Sequence, residues 1–154
     1  MANIIDVNIL VTANGKGEIS TSKEQLKCVR FLEKAQQELL LLDDEYEIYK
    51  EYQKYNSYKG QPGLGDAFFK YVHENQAVIN RIKKVGCGSF SDEGYDIVPT
   101  ELKGFDRSDH KYLACGIAVG CKVGIFNATD SDWADWKVRI EQKFRKIKIT
   151  NLLR

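Results

Sequence analysis

Six acids carry the chemistry open to this chain: Asp6, Glu51, Asp106, Asp109, Asp130 and Asp132. Asp6 stands inside the apolar run "NIIDVNIL", where a carboxylate is costly unless a partner compensates it. Asp130 and Asp132 follow directly on the apolar run that stops at Phe126, in "IFNATDSDW" (125–133). A helix cap needs one of them, and the chain supplies two. Asp106 and Asp109 open the stretch "DRSDHKYLACGIA", and Glu51 lies in "IYKEYQKY". Carboxylates brought close together cannot all stay ionised without compensation. A divalent cation is the usual remedy, and an oxygen-only ligand set favours Mg²⁺ or Mn²⁺.

Each acid also has a plainer use. Asp106 is placed to cap a helix, as is Ser131 or Asp132. Asp44 and Glu45 read as ordinary first-turn acids. Asp6 is the exception, because its apolar surroundings demand a reason for the charge.

The elements that must position these acids follow from hydropathy. Residues 3–6 read as a buried strand running into a turn or short helix. "TSKEQLKCVRFLEKAQQE" is a helix capped by Thr21 or Ser22, with Leu26, Val29, Phe31, Leu32 and Ala35 on its apolar face. "LLLL" (39–42) is a second buried strand, and "DDEYEIYKEYQKY" a helix started by Asp43 or Asp44. "SYKGQPGLG" (57–65) is a break. "DAFFKYVHENQAVINRIKKV" reads as helix in one or two pieces, with Asp66 as its cap, and "YDIVP" as a strand or extended segment. A helix from Asp106, a strand "CKVGIF" (121–126), a helix from Ser131 and a final strand "KIKITNLL" complete the order. Strands alternating with helices argue for an α/β fold, a central parallel sheet with helices on both faces. "NIIDV", "LLLL" and "CKVGIF" are the most continuously apolar runs and are expected as neighbouring or central strands. Ligands of such sheets sit beyond the carboxyl ends of the strands. Asp6, Asp130 and Asp132 follow strands there, Asp106 and Asp109 begin a helix at that edge, and Glu51 can be turned towards it.

Four stretches together resemble the motifs of PIN-domain nucleases. "IIDVNIL" is similar to their first motif, "KEYQKY" to the helical Glu motif, "DRSDHKYLACGIA" to the third and "NATDSDW" to the fourth. They occur in the family's order over residues 3–133. The resemblance implies a single PIN-like three-layer α/β/α domain over 1–154. It also implies an acidic site at Asp6, Glu51, Asp109, Asp130 and Asp132, with Asp106 beside Asp109 and with Asn8 and Thr129 in support. Glu45 and Glu47 compete with Glu51 for the Glu position. A cation held by Asp6, Asp109 and Asp130 would polarise a phosphodiester oxygen and activate water. Of the last motif, Asp130 would be a ligand or hold water, Asp132 a second ligand or the cap, and Trp133 core packing.

The function that the resemblance implies is a Mg²⁺- or Mn²⁺-dependent endoribonuclease, such as the toxin of a toxin–antitoxin pair. Its partners would be RNA, an antitoxin protein and a second copy of the chain as a homodimer. A non-catalytic PIN-like interaction module is the alternative, against which the retained acids argue. A phosphatase or receiver-like protein would need a lysine after another strand, and none is placed. Ser131 and His110 have no partner at the spacing a nucleophile or base requires. "GQPGLG" is no phosphate loop, since no Gly-Lys-Ser/Thr follows.

Bulk charge points to no partner: Lys+Arg total 23 and Asp+Glu 22, a net charge of +1. Polyanion attraction must therefore be local. The densest basic stretches are "NRIKKV" (80–85) and "KFRKIKI" (143–149), which would bind phosphate or simply form solvated faces and protected sheet edges. Tyrosines 46, 49, 52, 55 and 58 supply one or two base-stacking candidates, the rest packing inward. Four cysteines in no zinc pattern, no long apolar run and no basic leader before "NIIDVNIL" describe a cytoplasmic protein with reduced thiols that does not cross a membrane.

Overall fold

The computed structural model describes residues 1–17 and 21–154. Five short strands form one all-parallel sheet: β1 (Ala2–Ile5), β2 (Leu40–Asp43), β3 (Ile82–Val85), β4 (Val123–Asn127) and β5 (Ile147–Asn151), in the order β3-β2-β1-β4-β5. All four residues of β1 and of β2 are buried, as strands covered on both faces must be. The three runs that read as the most apolar are thus the three central strands. Ile4 lies opposite Ile125 across the β1–β4 pair, and both are fully buried.

Among the described residues, six α-helices connect the strands: α1 (Val7–Ala13), α2 (Ser22–Ala35), α3 (Glu47–Tyr55), α4 (Leu64–Asn75), α5 (His110–Ala118) and α6 (Ser131–Lys143). The chain moves outward from β1 to β3, returns to β4 and moves outward again to β5. Right-handed crossovers in opposite directions put helices on both faces, a three-layer α/β/α arrangement. α1 packs with α2 and α4, while α5 lies across β1, β2 and β4. The reversal falls between β1 and β4, which opens a crevice beyond their carboxyl ends.

Local chemistry sets the helix starts. Thr21 accepts the Glu24 N–H at 3.2 Å and Glu24 returns a bond to the Thr21 N–H at 3.0 Å, a reciprocal cap on α2. Cys28, Val29, Leu32 and Ala35 form the buried stripe of α2, while Leu26 stays exposed. Asp43, still in β2, caps α3 from below: its carboxylate takes the N–H groups of Glu47 and Ile48 at 3.0 and 2.8 Å. Asp66 lies within the first turn of α4 rather than ahead of it, and accepts the N–H groups of Ser57 and Gly63 at 2.7 and 2.9 Å. The cap of α6 is Asp130, not Ser131 or Asp132. Non-helical backbone at Asp130, with ψ at 119°, lets its carboxylate turn back to the Asp132 N–H at 2.9 Å.

Two stretches differ from expectation. "RIKKV" is not helix: α4 stops at Asn75, and Ile82–Val85 form β3, in register with β2 from Leu40–Ile82 to Asp43–Val85. Burying Ile82 and Val85 against the sheet outweighs the weak helical pattern, and Ile79 in the intervening turn is left 84% exposed. "YDIVP" is a turn that buries Tyr95 and Val98 without joining the sheet.

The glycines of "GQPGLG" serve packing. A Cβ on Gly65 would come 2.1 Å from the Leu10 carbonyl oxygen, so α4 and α1 touch backbone to backbone only because that Cβ is missing. Gly65→Ala is therefore expected to cost roughly 1–3 kcal/mol by forcing the two helices apart. Urea denaturation reads this directly, and an unchanged midpoint would show that α1 and α4 separate freely.

Candidate metal centre

The crevice between β1 and β4 gathers acids from three distant parts of the chain. Asp6 follows β1 directly, Asp130 follows β4, and Asp109 ends a 3-10 turn (Arg107–Asp109) ahead of α5. One carboxylate oxygen from each of Asp6, Asp109 and Asp130 lies within 4.8 Å of the others. A second group at the same spacing joins Asp106, Asp109 and Asp132, so Asp109 belongs to both. The structure thus brings five of the six sequence candidates together. Glu51 stands in neither group.

Asp6 is 3% exposed and held by two donors. Its Oδ1 accepts the Asn8 N–H at 3.1 Å, capping α1, and its Oδ2 accepts the Trp133 indole N–H at 2.9 Å. Burial pushes the Asp6 carboxyl up to about 7, against the pull of the Trp133 and Asn8 hydrogen bonds and with the charges of Glu51 and Asp130 adding to it. Asp109 is driven further, to about 9, by burial and then by the charges of Asp6, Asp130 and Asp106. Its Oδ2 is buried with no hydrogen-bond partner among the described residues. Asp132 is also raised, by burial and by Asp130.

Glu51 is drawn aside by two partners. Tyr112 donates its hydroxyl hydrogen to Oε1, and the Lys111 ammonium pairs with Oε2 at 2.8 Å. The Tyr112 oxygen in turn accepts the Val7 N–H at 3.2 Å, which ties this trio to the turn that holds Asp6. Of the competing positions, Glu45 lies on the β2–α3 turn and Glu47 opens α3, and neither joins an acid group. Asn8 supports the crevice through its side chain, whose oxygen accepts the Ala128 N–H at 2.9 Å and pins the β4–α6 loop to α1. Thr129 is exposed on that loop.

Sequence reasoning missed Trp133 as a donor to Asp6, and Tyr112 and Lys111 as the partners of Glu51. Trp133 is indeed packed, with no exposed surface and its ring 4.6 Å from that of Phe105, but its N–H also needs an acceptor. That need was the available signal. His110 is buried against Phe105, with Nε2 2.7 Å from the Phe105 carbonyl oxygen. No helix among the described residues is long and apolar enough to cross a membrane.

A hard divalent cation fits this donor set. Every donor is a carboxylate oxygen, burial and neighbouring charge raise the proton affinity of Asp6 and Asp109, and Asp109 Oδ2 is left without a partner among the described residues. The chain matches no family model, no curated protein and no solved structure.

Two outcomes follow for the metal-free protein. Asp6 and Asp109 hold protons in the folded chain that they release on unfolding, since both rise from 3.8. Their contribution to stability is complete below that value and is lost as pH climbs through about 7 and about 9. Melting temperature in EDTA should therefore fall between about pH 5 and about pH 9, and saturating Mn²⁺ should remove the decline, because ionised ligands bind it more tightly as pH rises. A flat profile in EDTA would show that Asp6 and Asp109 are not raised in the folded chain. Separately, Asp109→Asn removes the cost of keeping a proton on a buried carboxyl far above its usual range and offers an N–H to Asp130. It should raise the metal-free melting temperature at about pH 8 by roughly 2–4 °C, about 1 kcal/mol, and abolish the Mn²⁺-induced shift. Asp6→Asn is the poorer variant for this purpose: both Asp6 oxygens accept N–H donors, and an amide can satisfy only one of them.

Proposed function

We propose that this chain is a metal-dependent endoribonuclease that hydrolyses RNA phosphodiester bonds at the Asp6–Asp109–Asp130 centre, with Mg²⁺ or Mn²⁺ as cofactor. The observation that carries the reading is the convergence of three carboxylates within 4.8 Å at the switch point of a parallel sheet, one with a buried oxygen left unbonded. The resemblance of "IIDVNIL", "DRSDHKYLACGIA" and "NATDSDW" to PIN-domain motifs supports it, because the clustered acids are those the motifs single out.

When bound, the cation supplies Lewis-acid polarisation of the phosphodiester and a more acidic water. The chain's own residues do the rest. Asp6, Asp109 and Asp130 hold the ion, and Trp133 and Asn8 fix the orientation of Asp6 so that its carboxylate arrives preformed. Glu51 acts as a positioning residue. Its pair with Lys111 holds an ammonium beside the acids, where a polyanion would otherwise meet only negative charge. Arg107, exposed on the turn that carries Asp109, adds a second cation at the rim.

The cap role of Asp130 shapes the test. Asp130→Asn keeps a side-chain oxygen for the Asp132 N–H, since asparagine caps as well as aspartate. It should melt like the unaltered chain yet cut a fluorogenic RNA in Mn²⁺ more than about a hundredfold more slowly, beyond what loss of an outer partner of a metal ligand costs. Asp130→Ala should lose the same activity and roughly 0.5–2 kcal/mol of stability besides. Cleavage by Asp130→Asn at the unaltered rate would sink the proposal.

A further inference from the structure

We infer that the cleft beside the acid centre is a nucleobase subsite that selects guanine in single-stranded RNA; the inference rests on the ribonuclease reading for its biological setting, but its binding chemistry stands apart. The cleft has a volume of about 590 Å³ and is lined by Glu45, Glu47, Phe90, Tyr95, Arg107 and Lys111 among others. Arg107 lies between Asp106 and Asp109, and Lys111 pairs with Glu51, so the cleft shares a wall with the acids. A base seated here would belong to a nucleotide next to the cleaved bond.

The stacking surface is built rather than incidental. Phe90 is 45% exposed, and Tyr95 supports it edge-on at 5.6 Å. The Arg107 guanidinium lies 5.0 Å from the centre of the Phe90 ring and donates to the carbonyls of Ser91 and Asp92 at 3.2 and 2.7 Å. Hydrogen bonds at its edge and a ring at its face hold that planar cation still. A fixed ring and a fixed guanidinium are surfaces on which bases stack.

The opposite rim decides which base. Glu45 and Glu47 flank Tyr46, whose backbone sits at φ 64°, a region side-chain-bearing residues rarely adopt. That turn sets two carboxylates against the cleft. They repel phosphate and accept N–H groups. Guanine presents two adjacent donors, N1–H and the N2 amino group, on its pairing edge, and a carboxylate accepts both at once. Adenine and cytosine set a ring-nitrogen lone pair beside their amino group, and uracil flanks its one N–H with two carbonyls. Each would aim a lone pair at a carboxylate.

The test is titration calorimetry of the full chain with the four ribonucleoside 5′-monophosphates, which have no phosphodiester bond to cut. Guanosine monophosphate should bind most tightly. Phe90→Ala, and Phe90→Leu, which keeps apolar bulk without a ring, should each weaken it about tenfold at unchanged melting temperature. Glu45→Gln together with Glu47→Gln should erase the preference for guanine while leaving a residual affinity common to all four. Equal binding of the four nucleotides, or unchanged binding by both Phe90 variants, overturns the inference. RNA cleavage is read in parallel. Guanosine monophosphate binding that depends on Phe90, in a chain that cuts no RNA, keeps the subsite and removes the ribonuclease. Cleavage at the same positions and rate by Phe90→Ala removes the subsite and keeps the ribonuclease.

Discussion

A carboxylate buried at the end of the central strand must be met by donors or by a cation, and most of the architecture around Asp6 answers that demand. The chain turns directly from β1 into α1, so the Asn8 N–H faces one Asp6 oxygen. α6 begins at the end of the neighbouring strand and carries Trp133 under the crevice, where its indole N–H meets the other oxygen. Two hydrogen bonds do not offset full burial, since the carboxyl still sits near 7. The remainder of the compensation has to come from the open side of the crevice, where Asp109 and Asp130 stand. Adding acids to a costly acid makes sense only if the charge is neutralised from outside the protein, by protons or by a cation.

The cations that the chain does place near the crevice are tied down away from the acids. Lys111 is tied to Glu51 and Arg107 to backbone carbonyls, so neither collapses onto Asp6, Asp109 or Asp130. Tyr112 links the Glu51 pair to the start of α1, and a shift of one is felt by the other. The two dense basic stretches run into the sheet edges: "NRIKKV" ends in the edge strand β3, and "KFRKIKI" leads from the end of α6 into the edge strand β5. Lysines on edge strands hinder pairing with other chains. Lys84, near the carboxyl end of β3, sets its ammonium over the Tyr46 ring at 4.4 Å. Of the five tyrosines between residues 46 and 58, Tyr52 is buried and donates to the Ile5 carbonyl, while Tyr46, Tyr55 and Tyr58 are the exposed ones.

Much of this was legible before any coordinates. Continuous apolar runs identify β1, β2 and β4, because a strand covered on both faces has no polar side. Alternation of strand and helix then dictates parallel pairing, and parallel pairing puts every strand-end acid on one edge. Asp6 was marked by its cost, and the motif resemblance pointed to Asp109 and Asp130. Short local patterns were less secure. Whether 82–85 is strand or helix depends on an open edge of β2 being available, which is a fact about the assembled sheet. The carboxylate that caps a helix depends on backbone angles one residue either side, and so Asp43 and Asp130 took roles that spacing alone assigned to neighbours or left open, while Asp66 acts from inside the first turn of α4 rather than ahead of it.

The amino-acid sequence by itself determined the layers, the central strands and the presence of unusual carboxylates at their ends, since these follow from local hydropathy and from the cost of a buried charge. Only the tertiary structure decided which acids share a centre and which are drawn away. The Trp133–Asp6 bond joins residues 127 positions apart, and the Tyr112–Glu51 bond joins residues 61 apart. No local pattern encodes such a pairing, because a hydrogen bond is settled within a few tenths of an ångström and that precision exists only once the sheet has set where each helix begins.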